Sequence, residues 1–279
     1  LVVAGSNHPA TFYRSQQVVQ GYARRTQLAG VEREVGGVDH LYVLDAVPAL
    51  VGTLSTRGFF GAHVLIDVEH VAHEKAQLLA ALSSKGLAVV NADDPMTPLL
   101  LSHVTTKRIM QFGRRAEADV QLLEHHIDGN LRNSCTLHLK EFTEPLRLHM
   151  RILGEGVAMA AASVIALVLG MLKASQPAAV VNALRAALRV LNELPGLSQR
   201  LQLKRGIHES LVIDDTYNAN PASMSMGLDT AAEVARVLGG RLLVVLGDMK
   251  ELGAVSRDEH RQLGRHVVAL GTVLFVGCG

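Results

Sequence analysis

The sequence contains no tryptophan, and aromatic residues make up only 4% of its 279 positions. Proteins that hold single strands of nucleic acid stack bases on aromatic rings, so this scarcity argues against such a platform. A surplus of one charge is missing too. The 27 Lys and Arg nearly balance the 26 Asp and Glu, leaving a net charge of +1. There is no basic footprint for a polyanion, and no nucleic-acid partner is expected. The two cysteines, Cys135 and Cys278, are too few for a disulfide framework and lack the CxxC spacing of structural zinc sites, so a reducing, cytoplasmic compartment is expected. The longest apolar segment, residues 157–172, includes Ser163 and Gly170. It is short for a bilayer span and is expected to be a buried helix. Finally, no G-x-x-x-x-G-K-[ST] phosphate loop occurs anywhere.

What is present is a core. The chain is 48% hydrophobic, enough for one large or two modest domains. Short β-branched runs alternate with amphipathic segments. Strands are expected at 1–4, 41–46, 87–90, 108–112, 241–246 and 272–276, and helices at 68–83, 154–170, 177–191, 223–238 and 256–270. A weaker helical pattern covers 11–25. Residues 122–148 alternate as antiparallel strands do, with Asp128-Gly129 as a hairpin signal. Gly86 is expected to close the 68–83 helix, Gly206 to mark a hinge, and Ser256 with Glu259 to form a capping box. This is the pattern of an α/β protein with a mostly parallel sheet. The opening Leu-Val-Val and the closing Phe-Val-Gly-Cys-Gly both read as cuts through a longer protein.

One stretch stands out. Leu211-Val212-Ile213 runs into Asp214-Asp215-Thr216-Tyr217-Asn218-Ala219-Asn220-Pro221. A buried strand that ends in a turn rich in acceptors is where open α/β sheets place ligands. Farther on comes Gly247-Asp248-Met249-Lys250-Glu251-Leu252-Gly253, then Ser256, His260 and Gly264.

These two motifs in this order resemble the C-terminal domain of the Mur ligases, and especially the members that add D-alanyl-D-alanine to UDP-N-acetylmuramoyl-tripeptide. Upstream segments are similar to the family's central domain: Gly5-Ser6-Asn7-His8-Pro9, Ala62-His63 with Lys75, Asn91-Ala92-Asp93-Asp94-Pro95, Gly113 with Ala118-Asp119-Val120, and Pro195-Gly196 with Arg200. The resemblance implies a mostly parallel-sheet central ATPase-type domain over 1–205, lacking its phosphate loop, and a smaller, truncated Rossmann-like α/β domain over 206–279. It implies an ATP-dependent ligase that makes an acyl phosphate and passes it to an amine, acting as a monomer with ATP and Mg2+.

Site roles follow from the same resemblance. His63 would contact magnesium. Lys75 would be carbamylated and help hold a second magnesium. Asn91 would face adenine, and Asp215 the ATP ribose. Arg200 would reach the phosphates, while Tyr217, Asn218 and Asn220 would line the cleft. Each has a plainer reading: Asp214-Asp215 as a helix cap, 91–95 as an Asx turn, Lys75 as a solvated helix residue, and His63 as an ordinary turn histidine. His125 and His126 are neighbours on one strand and face opposite ways, so they are not expected to share a metal.

Departures from the family pattern bear on activity. Val3 stands where the family has a metal-binding Glu, Gly154-Glu155-Gly156-Val157 where it has Gly-Arg-His-Asn, and Arg200 falls late after Pro195-Gly196. This chain alone is therefore expected to have little or no ligase activity. The competing expectations are a non-catalytic binding module on the same fold, or another Mur or folylpolyglutamate-type ligase.

Overall fold

The computed structural model describes residues 2–4, 41–43 and 68–279, apart from 174 and 251. His63, the Gly5–Pro9 turn and the helical pattern at 11–25 lie outside the described residues. Two sheets organise what is described.

The first sheet has six strands: β2 (Leu41–Val43), β3 (Leu87–Asn91), β4 (Ile109–Gly113), β5 (Val120–Ile127), β6 (Asn133–Leu139) and β7 (Leu146–Met150), in that spatial order. Pairing is parallel from β2 to β5 and antiparallel from β5 to β7. The meander expected over 122–148 is present, and its first turn begins at Asp128, whose N–H donates to Arg132 O at 2.9 Å. His125 and His126 sit side by side on β5, opposite Cys135 and Ser134.

Strand β3 shows why an unbroken apolar run was needed. All five of its residues are buried, because helices cover both faces. With a side-chain period of two, Leu87 and Val89 point to one cluster, and Ala88 and Val90 to another. The second cluster is closed by α1 (Val68–Ala80) through Ala72, Ala76 and Leu79, with Leu100 from α2 (Thr97–Ser102). Helix α1 stops at Ala80, earlier than expected, and its Leu78 is exposed. Gly86 thus sits just ahead of β3 instead of ending the helix, and its N–H donates to Ser83 O.

The other face of β3 carries α3 (Glu155–Leu172), backed by α4 (Pro177–Glu193). Among the described residues, α3 is the one helix long and apolar enough to cross a membrane. Here its Ala158, Ala161, Ala162, Ile165 and Ala166 are buried against Leu87, Phe112, Val120 and Leu137. The small residues let the helix approach closely. A Cβ on Gly170 would lie 2.7 Å from a Leu87 methyl and 2.8 Å from Met110 Cγ.

The second sheet has the order β11-β10-β1-β9-β8. It contains β1 (Val2–Ala4), β8 (Gln202–Arg205), β9 (Leu211–Asp215), β10 (Leu243–Gly247) and β11 (Leu274–Cys278), all parallel except β8. Helices α5 (Pro221–Val237) and α6 (Ser256–Ala269) connect β9 to β10 and β10 to β11. Two features differ from the expected division at residue 205. Strand β1 inserts between β9 and β10, so it belongs to the second sheet. Gly206 falls in the tight β8–β9 hairpin, where its N–H donates to Ser210 O at 2.8 Å; antiparallel pairing replaces the expected hinge. Ser256 is the first residue of α6, after a 3-10 turn at Gly253–Val255, and makes no cap bond. Its Oγ instead lies 3.4 Å from His260 Nδ1.

The close contact at Gly170 sets a test of the packing. Gly170→Val places branched carbons where Leu87 and Met110 already stand. Overpacking of this kind costs about 1–3 kcal/mol, which a lowered urea midpoint with an unchanged slope would register.

Candidate functional site

Strand β9 delivers two carboxylates to opposite faces of the second sheet. Asp214 turns towards the hairpin partner, where Lys204 Nζ donates to its Oδ2 and Thr216 Oγ1 donates to its Oδ1 at 2.7 Å. Burial pushes the Asp214 carboxyl up, but the hydrogen bonds from Lys204 and Thr216 outweigh it and hold the group below the usual aspartate value. Asp215 turns the other way. Its Oδ1 accepts a single backbone N–H, from Leu201 at 3.3 Å, and its Oδ2 lies 3.2 Å from where a Cβ on Gly227 of α5 would stand. Burial raises its pKa, against smaller opposing effects of the Leu201 N–H and the Arg200 charge. Adjacent aspartates thus end with opposite proton affinities, because one has strong donors and the other does not.

Arg200 and Tyr217 come together. The guanidinium carbon sits 4.0 Å from the centre of the Tyr217 ring, a cation–π geometry. The Tyr217 N–H also donates to Gln199 O at 3.2 Å, tying the segment before β8 to the turn after β9. Both neighbours of Arg200 adopt left-handed backbone, with φ of 60° at Gln199 and 47° at Leu201. Residues other than glycine avoid that region, so the loop is held there by its contacts. Three of the expected site residues, Arg200, Asp215 and Tyr217, therefore form one group around Leu201. Asn218 follows, half-buried.

Asn220 has a different job. It is the N-cap of α5: its Oδ1 accepts from Ser223 N at 2.9 Å, and Ser223 Oγ reaches back to the Asn220 N–H at 3.3 Å. Pro221 fills the first helical position, where a missing N–H costs nothing. The capping box expected at Ser256 occurs here instead.

In the first sheet, Asn91 ends β3 and the 91–95 segment is an Asx turn. Asn91 Oδ1 accepts from Asp93 N at 2.9 Å and Asp94 Oδ1 from Met96 N at 2.8 Å. Asp93 is a residue that sequence reasoning missed. Its two oxygens accept the N–H groups of Arg114 at 2.7 Å and Arg115 at 3.1 Å, clamping the exit of β3 to the exit of β4. Gly113, with φ of 156°, is demanded by that clamp: a Cβ there would lie 2.8 Å from Asp93 Oδ1. Arg114 then bonds Glu155 at the start of α3, Nε to Oε1 at 2.7 Å. That hydrogen bond raises the Arg114 pKa and lowers that of Glu155.

Lys75 is not the solvated helix residue of its plainer reading. It is 5% exposed, between Ala72 and Ala76 on the inner face of α1. A lysine is buried this fully only when its charge is met or removed. Among the described residues no cluster of three or more His, Cys, Asp or Glu is arranged to hold a metal ion.

His260 holds the loop after β10. Its Nε2 accepts from Met249 N at 3.1 Å while Nδ1 faces Ser256 O at 2.8 Å, which places the ring proton on Nδ1.

Two measurements follow. The Asp215 pKa is raised, so its folded state favours the proton. That contribution is fully present below the unfolded value, about 3.9, and is lost as pH rises through the folded one. Asp215→Asn keeps an acceptor for Leu201 and is expected to unfold at higher urea than the parent at pH 7, an advantage that disappears at pH 3. Asn220→Ala removes the α5 cap and is expected to lower stability by about 1 kcal/mol, read from the same denaturation curves.

Comparison with known proteins agrees with this architecture. Residues 61–168 match the Mur ligase middle domain, and residues 199–277 match the Mur ligase glutamate ligase domain. A UDP-N-acetylmuramoyl-tripeptide--D-alanyl-D-alanine ligase of Mycobacterium tuberculosis is 32% identical over 234 residues, covering 82% of this chain and 42% of that protein. Among solved structures, MurF from Acinetobacter baumannii superposes with a TM-score of 0.61 at 26% identity, over 76% of this chain and 43% of that one. The MurF ligase from Thermotoga maritima, solved in complex with ADP, shares the fold with a TM-score of 0.55 at 19% identity, over 72% of this chain and 42% of its own. The chain thus spans less than half the length of these relatives. With a middle-domain match, a glutamate ligase-domain match, a relative at 32% identity and MurF neighbours of the same fold, the chain belongs to the Mur ligase family.

Proposed function

We propose that this chain is part of an ATP-dependent amide-bond ligase of peptidoglycan precursor synthesis, working in the cytoplasm and joining D-alanyl-D-alanine to UDP-N-acetylmuramoyl-tripeptide. The observation that carries the reading is the group at the end of β9. Asp215, Tyr217 and Arg200 converge through Leu201, at the carboxyl end of a parallel strand, where doubly wound sheets bind nucleotides.

The chemistry has two steps. The tripeptide carboxylate attacks the γ-phosphorus of ATP, giving an acyl phosphate and ADP. The amine of D-alanyl-D-alanine then attacks the acyl carbon, phosphate leaves, and the amide forms. The protein's contribution is placement and charge. In this reading Arg200 supplies positive charge to the phosphates, its direction preset by the Tyr217 ring. Asp215 accepts from ribose hydroxyls; a carboxyl with one weak donor of its own has acceptor capacity to spare. Tyr217 and Asn218 flank the nucleotide, Asn91 faces adenine, and Asn220 contributes by setting the start of α5. His63 and Lys75 would be the residues that hold magnesium. The burial of Lys75 fits a side chain whose charge is altered by carbamylation, which would give it oxygen donors suited to a hard cation. His63 would add a ligand. The protein acts as a monomer.

Calorimetric titration of the folded chain with MgADP tests the nucleotide reading. Arg200→Ala and Asp215→Ala should each weaken binding at least tenfold, about 1.4 kcal/mol. A folded chain giving no heat, or variants that bind like the parent, would overturn it. With tripeptide precursor and D-alanyl-D-alanine, this chain is expected to release ADP from ATP far more slowly than a full-length ligase, since its sequence has no G-x-x-x-x-G-K-[ST] to cradle the phosphates.

A further inference from the structure

Two histidines meet outside the site already described. His73 lies on α1, and His103 directly follows α2. Their ring centroids are 5.9 Å apart and their planes stand at 85°. The elements that carry them are fixed from beneath. Ala72 and Ala76 of α1 and Leu100 of α2 are buried in one apolar cluster. Thr105 Oγ1, two residues past His103, donates to Leu82 O at 2.6 Å and ties the two segments again. His73 is exposed and His103 half-buried, so both rings stand at the rim of that cluster and reach solvent.

Each ring has a nitrogen to offer. His103 Nδ1 lies 3.0 Å from Leu99 O. A carbonyl only accepts, so Nδ1 carries the proton and Nε2 keeps its lone pair. Ser102 Oγ lies 3.1 Å from the same Nδ1 and does not compete for Nε2. A backbone carbonyl on Nδ1–H sets the tautomer and direction of the ring, as it does in metal-ligating histidines. Among the described residues His73 makes no hydrogen bond or ion pair, which leaves its nitrogens to solvent.

The separation suits a shared ion. Zinc–nitrogen bonds are about 2.0–2.1 Å, and a ring nitrogen is about 1.2 Å from the ring centre, so two imidazoles on one ion have centroids about 5.2 Å apart at the tetrahedral angle and at most about 6.4 Å. The observed 5.9 Å falls inside that span. The pair is also distinct from Lys75. At about 100° per residue, Lys75 lies about 200° around α1 from His73, and it is buried where His73 is exposed.

We propose that His73 and His103 form a site for a divalent transition metal that favours imidazole, such as Zn2+, with water in the remaining positions. Imidazole suits zinc, copper and nickel, whereas magnesium and calcium take oxygen ligands. The ion bonds Nε2 of His103 and a ring nitrogen of His73, and so cross-links α1 to α2. The site stands independently of the nucleotide reading.

The test titrates Zn2+ alone into the full chain by calorimetry, at about pH 7.5 and without phosphate, because ligation needs neutral imidazole. One equivalent should bind ahead of any weaker uptake. His73→Ala and His103→Ala should each weaken that event at least tenfold, while His126→Ala, at an exposed histidine of β5, should bind as the parent does. Amide NMR spectra without metal check that the variants are folded. Cu2+ on the parent should give an electron paramagnetic resonance spectrum with two coordinated nitrogens, and this measurement needs no variant. A parent that takes up no Zn2+, or variants that bind like the parent, overturn the site and leave the pair as an edge-to-face ring contact. Loss in one variant only, or a single nitrogen on Cu2+, overturns it too, since one imidazole then binds without the other.

Discussion

The bond from the Leu201 N–H to Asp215 is the point on which both the site and the join between the two sheets depend. It is long, at 3.3 Å, and among the described residues it is the one backbone donor that reaches that carboxylate. It closes on a chain that takes left-handed backbone at Gln199 and Leu201, just before β8. That turn aims Arg200 across the Tyr217 ring and the Leu201 side chain into the space above Gly154. A residue with unfavourable φ persists only where its surroundings over-determine it. Here the surroundings come from both units: Asp215 from β9, and Gly154 from the start of α3.

Around that point the molecule spends its polar groups unequally. Asp214 and Asp93 are saturated with donors and do fold work: Asp214 ties β9 to β8, and Asp93 ties the exit of β3 to β4. Asp215 is left nearly unsatisfied and partly buried, which raises its proton affinity. Carboxylates whose environments push them apart mark functional sites more often than evenly satisfied ones do.

The periodic parts of the fold were legible in the residues. Strand β3 announces itself by four consecutive apolar residues, Leu87 to Val90, because both its faces are covered. The β5–β6–β7 meander shows in alternation, and the Ala-rich α3 in its composition. The misread places have local physical causes. Gly206 suggested a hinge, but His208 and Glu209 accept left-handed backbone of 50° and 59°, closing a hairpin that contains no sequence signature for one. Ser256 and Glu259 have capping-box spacing, yet the preceding 3-10 turn pulls Ser256 inside the helix. Asn220 has the same capability and is used, because Pro221 starts α5 immediately after it. Of the site, the cluster on β9 was visible as an acceptor-rich turn. Asp93, Gly154 and Glu233 were not, since each acts on residues far along the chain: Arg114, Leu201 and Ile127.

By itself, the sequence determined the family, the order of strands and helices, and the chemical character of the β9 turn. Those properties are local: they rest on period, on residue type and on motifs a few residues long. Only the tertiary structure decided how neighbours with identical chemistry divide their work. Asp214 and Asp215 are the same residue one step apart, and the pleat sends one to Lys204 and the other beneath α5. It also decided that Val2–Ala4 joins the second sheet between β9 and β10, since strand partners are chosen by packing across a distance that no local pattern records. And it decided that Arg200 reaches Tyr217, because that approach is set by the close fit of Leu201 against a glycine in the other unit.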